Sequence, residues 1–299
     1  MIAAPPPLFL PLLAADAVAL AGESTAESGA AAALGWGGVA LAIAASVFVA
    51  SRIWQCESRG GTVVPGRPWP AAAWSGAAVL FVACGWLLVA ALCVSLLPAD
   101  APLLNRMAAQ AAGSIVATLA VVAALRANGA SWEAIGLSSE SAAVDWRLAL
   151  GGLALVTGPL LLISAALDRL VTYEHPVIDT LQAEHGLGAI AIVVITAVIA
   201  APIAEELFFR RILLGWIDAR VPSTGGSVAI LASALLFGLS HWGQGLAWIP
   251  LVLLGIALGE LAQRRGSLMP AILLHALFNA VSVAMLVVQI ATGSMRPPG

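Results

Sequence analysis

The sequence predicts an all-α fold, a polytopic integral membrane helical bundle of about eight transmembrane helices with its N-terminus outside. Three observations predict it. First, 61% of the 299 residues are hydrophobic and only 10% are charged, against roughly 45–50% and 25% in soluble domains. Second, the apolar residues fall into runs of about 20, the length a helix needs to cross a hydrocarbon core of about 30 Å. Third, the arginines are distributed unevenly between alternate loops. A mean hydropathy of +0.99 excludes a soluble enzyme and a disordered chain. The net charge is −3, and all 13 cationic residues are arginine. That leaves no basic face for nucleic acid. The Ala- and Arg-rich, Lys-free usage suggests a high-GC bacterial genome and hence a bacterial inner membrane.

Taken in order, the chain opens on Leu8–Ala21, which is apolar but short and lacks the basic n-region of a signal peptide. It is expected to be an interfacial or disordered leader. Gly22–Gly29 is small and polar and reads as a linker. The expected spans are Leu34–Trp54, Ala71–Leu97, Leu103–Leu125, Trp146–Leu167, Gly188–Leu214, Ser227–Trp242, Ala247–Gln263 and Pro270–Ala291. The sixth and seventh are short and are expected to tilt or to meet at a half-buried turn around Gly243, Gln244 and Gly245. Cys56, Cys84 and Cys93 have no paired or metal-binding spacing, and Cys84 and Cys93 are expected to pack as small hydrophobes.

With the N-terminus outside, the cytoplasmic loops and adjoining span edges hold Arg52, Arg59, Arg67, Arg126, Arg147, Arg211, Arg220, Arg264 and Arg265. The outer loops hold only Arg169 and Arg296, and Arg106 and Arg210 fall inside spans. This is the bias that orients membrane proteins. The cytoplasmic loop Ala127–Asp145 is expected to carry a short interfacial helix with Trp132 at headgroup depth. The outer loop Asp168–Gly186 holds His175 and His185, read as exposed residues.

Charged residues inside a span require a partner or a function. Three polar clusters qualify. In the fifth span, Glu205 and Glu206 are adjacent and point about 100° apart on a helix. Glu206 can therefore pair with Arg210 at i,i+4, leaving Glu205 to face another helix. Burial in a low-dielectric cavity suits such a carboxylate to general-base work. Phe237 and His241 end the sixth span on one face. His275 and Asn279 share a face of the last span. At a rise of about 1.5 Å per residue, Glu205 and Asn279 lie about 14 Å from the cytoplasmic end of their helices, His275 about 8 Å and His241 about 21 Å. These depths allow one polar chamber within the bilayer, opening towards the cytoplasm.

The set EExxxR, FxxxH and HxxxN, on separate spans and in that order, resembles the CPBP family of CAAX prenyl endopeptidases and bacteriocin-processing or immunity membrane proteins, also called the Abi family. Glu205, Glu206, Arg210, Phe237, His241, His275 and Asn279 carry the match, and no motif residue is missing. Trp132–Leu137 (WEAIGL) also looks like the family's lead-in. The resemblance covers roughly Leu103–Ala291. It divides the chain into a leader and linker (residues 1–30), two additional helices (31–100), an intramembrane protease domain (101–292) and a tail (293–299).

The resemblance implies a membrane-embedded endopeptidase that cuts near the C-terminus of a lipidated or membrane-associated protein. Its implied partners are membrane lipid and a peptide substrate. Glu205 would activate a water, which His241 would hold. His275 and Asn279 would donate to the developing oxyanion. Glu206 and Arg210 would brace the Glu205 helix. Two mechanisms stay open. Glu205, His241 and His275 could ligate zinc as a cofactor with one position left for water. Without a metal, each residue is used once. The other readings are a non-catalytic scaffold or immunity-type protein, and a proton-coupled transporter. The transporter reading finds neither an internal repeat nor matched helix breaks.

Overall fold

The structure, a computed structural model, describes residues 26–66, 69–72, 74–167, 181 and 186–292. Among them every regular element is helical. Helices α1 (Ala26–Ser58), α2 (Gly76–Ser95) and α3 (Leu103–Ala127) are followed by the one-turn α4 (Trp132–Ile135) and by α5 (Ala142–Leu167). Helix α6 runs continuously over Leu187–Asp218. Then come α7 (Ser227–Leu239), a 3-10 turn (Trp242–Ala247), α8 (Trp248–Arg265) and α9 (Met269–Thr292). Seven helices among the described residues are long and apolar enough to cross a membrane, and α7 is a shorter apolar one. The protein is thus a polytopic helical membrane bundle.

Several expectations shift at the edges. Helix α1 begins at Ala26, inside the stretch read as a linker, because Ala26–Ala33 is good helix-forming sequence apart from Gly29. The sixth span stops at Leu239 rather than Trp242. The turn after it is where expected, with Gln244 and Gly245 outside helical geometry and Gly245 at φ 65°, which glycine adopts without strain. The leader Leu8–Ala21, Arg67, His175, His185, Arg169 and the tail lie outside the described residues.

Apolar side chains explain which helices are central. Leu207, Phe237, Leu254, Leu258, Leu274 and Phe278 are buried in one core built from α6, α7, α8 and α9. Helices α7 and α8 touch closely because glycine removes the spacers. A Cβ on Gly238 would lie 2.6 Å from the Trp248 carbonyl oxygen, and one on Gly255 would lie 3.0 Å from Ala234 Cα. The first two helices are peripheral. Leu41, Phe48 and Trp54 on α1, and Leu80, Phe81, Leu88 and Leu96 at α2, are exposed, as lipid contact requires. Cys84 shares that outer face and is exposed rather than packed. The reason is that α2 packs mainly along α3 and turns its other side outward.

Helix α1 is nevertheless docked by a specific device. Pro159 lies inside α5 and disturbs its hydrogen-bond ladder. The Ser46 hydroxyl enters there: it donates to Ala154 O at 2.7 Å and accepts from Gly158 N at 3.1 Å. Small Gly158 lets the helices approach, since a Cβ there would meet Ile43 Cα at 3.0 Å.

The WEAIGL stretch is a capped turn that fastens the last helix. Ser131 Oγ accepts from Ala134 N, and Gly136 at φ 89° ends α4, a left-handed C-cap. Gly136 O then accepts Leu268 N at 2.9 Å, and Ser267 Oγ donates to Ser138 O at 2.8 Å. Trp132 is half exposed under the Arg126 guanidinium, as an interfacial aromatic should be. Arg211 and Arg265, expected at span edges facing the cytoplasm, are buried. Arg211 donates to Ala134 O and Pro70 O and lies over the Trp69 and Trp74 rings. Arg265 pairs with Asp145 at 2.8 Å. Both guanidiniums bind loop carbonyls or a carboxylate, which satisfies them away from water.

Candidate active site

The glutamates sit on α6, and α6 is not a uniform α-helix. Ile195–Ala200 and Glu206–Leu213 are π-helical, separated by the α-helical turn Ala201–Glu205. Wide π turns inside α-helices often occur at functional sites. The second stretch is held by α7: Ser233 Oγ donates to Phe209 O at 2.7 Å, a carbonyl that also receives Leu214 N.

Glu206 is the hub of the polar cluster. Its Oε2 lies 3.1 Å from Arg210 Nε, the expected i,i+4 pair. Its Oε1 accepts from His275 Nδ1 at 2.9 Å. Glu206 therefore joins α6 to α9 as well as bracing its own helix. Arg210 fills the space between two rings, 4.6 Å from the Phe237 centroid and 5.8 Å from that of Phe209. Such cation–π contact compensates part of a buried cation's lost hydration.

Glu205 points elsewhere, as the 100° offset requires. Its Oε2 lies 3.8 Å from His275 Nε2, too far for a hydrogen bond but a span that one shared oxygen can bridge. Glu205 keeps 8% exposure whereas Glu206 has none. Of the two carboxylates, Glu205 is therefore the one with surface left open.

His241 stands two residues beyond the end of α7. Its Nδ1 is 2.9 Å from Phe237 O. A carbonyl only accepts, so Nδ1 carries the proton and a neutral ring bears its lone pair on Nε2. Phe237 connects the clusters. Its ring meets His241 edge-on at 5.2 Å and His275 at 5.7 Å. Asn279, one turn along from His275, donates from Nδ2 to Ala197 O at 2.8 Å. All these side chains are buried. The structure thus gathers Arg210, His241 and His275 around the Phe237 ring, sets Glu205 and Glu206 against His275 and ties Asn279 to the same helix as the glutamates.

The sequence reading did not foresee three of these contacts: the Glu206–His275 bond, the Ser233 bond to Phe209 O and the Ala197 carbonyl under Asn279. All three pair residues on different helices, and no spacing rule reports them. Pro202, five residues past Ala197, was the one sequence signal near the third.

Among the described residues no group of three or more His, Cys, Asp or Glu side chains is placed to hold a metal ion. His275 and His241 each hold Nδ1 on a protein acceptor, which fixes the ring orientation and leaves Nε2 as the other nitrogen.

The fold and site together define a membrane-embedded helical protein with a buried carboxylate–histidine centre. Residues 187–281 match the family model described as type II CAAX prenyl endopeptidase Rce1-like. That stretch contains every motif residue from Glu205 to Asn279, and the resemblance to CAAX-type intramembrane proteases is borne out over it. No curated protein and no solved structure gives a match.

Proposed function

We propose that this protein is an intramembrane endopeptidase that hydrolyses a peptide bond near the C-terminus of a lipidated or membrane-associated protein, using a water activated by Glu205. The observation that carries the reading is the division of labour between the glutamates. Glu206 is sealed between Arg210 and His275, while Glu205 alone of the two has surface left open and ends 3.8 Å from His275 Nε2.

In this reading Glu205 takes one proton from the water, while His241 Nε2 accepts a hydrogen bond from the O–H that remains. The hydroxide attacks the scissile carbonyl. His275, its Nδ1–H held by Glu206, donates through Nε2 to the oxyanion, which requires the imidazolium. The second Nδ2 hydrogen of Asn279 donates alongside it. Glu205 then passes its proton to the leaving amine. Each carboxylate faces Arg210 or His275, and such pairing limits the cost of placing these groups in a bilayer. A prenylated or otherwise acylated C-terminus suits the site, because such a chain can enter sideways from lipid. In this reading the chamber opens towards the cytoplasm of a bacterial inner membrane; the arginine bias between alternate loops and the Lys-free composition support it.

The reaction needs no metal, and that is its test. Purified protein is assayed on a panel of peptides with and without a lipidated cysteine, before and after a strong chelator, with bound metal measured alongside. Cleavage unchanged by chelation and sub-stoichiometric zinc are expected. Cleavage lost on chelation and restored by zinc would overturn the glutamate-only mechanism.

A further inference from the structure

The first π-helical stretch of α6 ends in a gap that the sequence makes by design of its backbone donors. The Ala201 N–H donates to Thr196 O, one carbonyl further back than an α-helix would use. The next donor in that register would be residue 202, which would reach Ala197 O. Residue 202 is proline and has no N–H. Ala197 O is therefore passed over by one residue and denied by the next. It is buried, and a bilayer offers no water to satisfy it. Asn279 Nδ2 fills the gap at 2.8 Å. The Asn279 Oδ1 has no hydrogen-bond partner, so the bond to Ala197 O is what fixes the plane of the amide.

We infer that Pro202 is a positioning residue of this site: by withholding the N–H that would close the helix on Ala197 O, it reserves that carbonyl to orient Asn279. The placement stands on the backbone pattern, and only its kinetic consequence rests on the peptidase reading above. An alanine or serine at this position would supply the missing N–H. It would then compete with Asn279 for the carbonyl and release the amide to rotate.

The experiment uses the full chain in detergent. The sequence has three asparagines, Asn105, Asn128 and Asn279, so protein made with side-chain nitrogen-15 asparagine gives three amide pairs by NMR. Asn279→Asp identifies the third. In the wild type the Asn279 pair is expected to be well separated, with one proton protected from exchange. In Pro202→Ala that protection is expected to be lost, with kcat down about tenfold or more, as for a misplaced oxyanion donor, and KM within about twofold. Pro202→Ser supplies the same N–H with a different side chain, so a folding failure of one variant leaves the other. Wild-type Asn279 protection and kcat in a folded Pro202 variant would overturn the inference, as would an unprotected Asn279 pair in the wild type. Should no protein cleave any peptide, the NMR comparison still decides the positioning, and it is the peptidase reading that fails.

Discussion

Replacing Glu205 with glutamine is expected to lower the cleavage rate by about 10²–10⁴-fold, the usual contribution of a positioned general base, while the protein stays folded. The expectation of an intact fold comes from geometry. Glu205 is not locked into an ion pair at hydrogen-bond distance; its Oε2 lies 3.8 Å from His275 Nε2. Glutamine has the same shape, so little packing is disturbed. It cannot accept a proton from water and return it to the leaving amine. The measurement is kcat on the best peptide, with a thermal melt of both proteins in the same detergent. A Glu205→Gln protein that cleaves at the wild-type rate would remove Glu205 from the mechanism.

Glu206→Ala is expected to act in the opposite way, through stability first. It strips the charge partner from a guanidinium that is itself buried, with Nη1 and Nη2 making no hydrogen bond, and takes the acceptor from His275 Nδ1. Removing one member of a buried pair costs about 3–5 kcal/mol, enough to lower the melting temperature strongly or to deplete the protein from membranes. Pairing Glu206→Gln with Arg210→Met removes both charges and keeps the volumes close. That double variant is expected to recover stability relative to Glu206→Ala but not activity, because no anion then supports the His275 imidazolium. Wild-type melting of Glu206→Ala would show that the cluster does not hold α6 to α9.

The difference between these two adjacent glutamates is legible in the sequence alone. The 100° offset and the i,i+4 spacing to Arg210 already separated the paired carboxylate from the available one. The spans were legible too, since runs of apolar residues declare themselves by length. What the sequence could not show is what crosses between helices. Glu206 was assigned to Arg210 alone, because helical spacing reports only neighbours on the same helix, whereas His275 comes from α9. The π-helical stretches were equally invisible, because a π turn differs from an α turn by one backbone partner and has no side-chain period of its own. The end of α7 moved because Ser240 bonds its side chain back to Phe237 O and His241 takes the same carbonyl, and such local competition ends helices. The peripheral α1 gave no functional signal in sequence, and its docking through Ser46 depends on a break at Pro159 that only the packed helices reveal.

The central claim is that a water activated by Glu205 attacks the peptide directly. A single turnover in oxygen-18 water, with enzyme in excess over a peptide that the wild type cleaves, tests it most directly. Direct attack predicts one oxygen-18 atom in the new C-terminal carboxylate of the product and none in Glu205. A product carboxylate without oxygen-18, its new oxygen drawn instead from the Glu205 side chain, would mean covalent attack by the glutamate and would contradict the account.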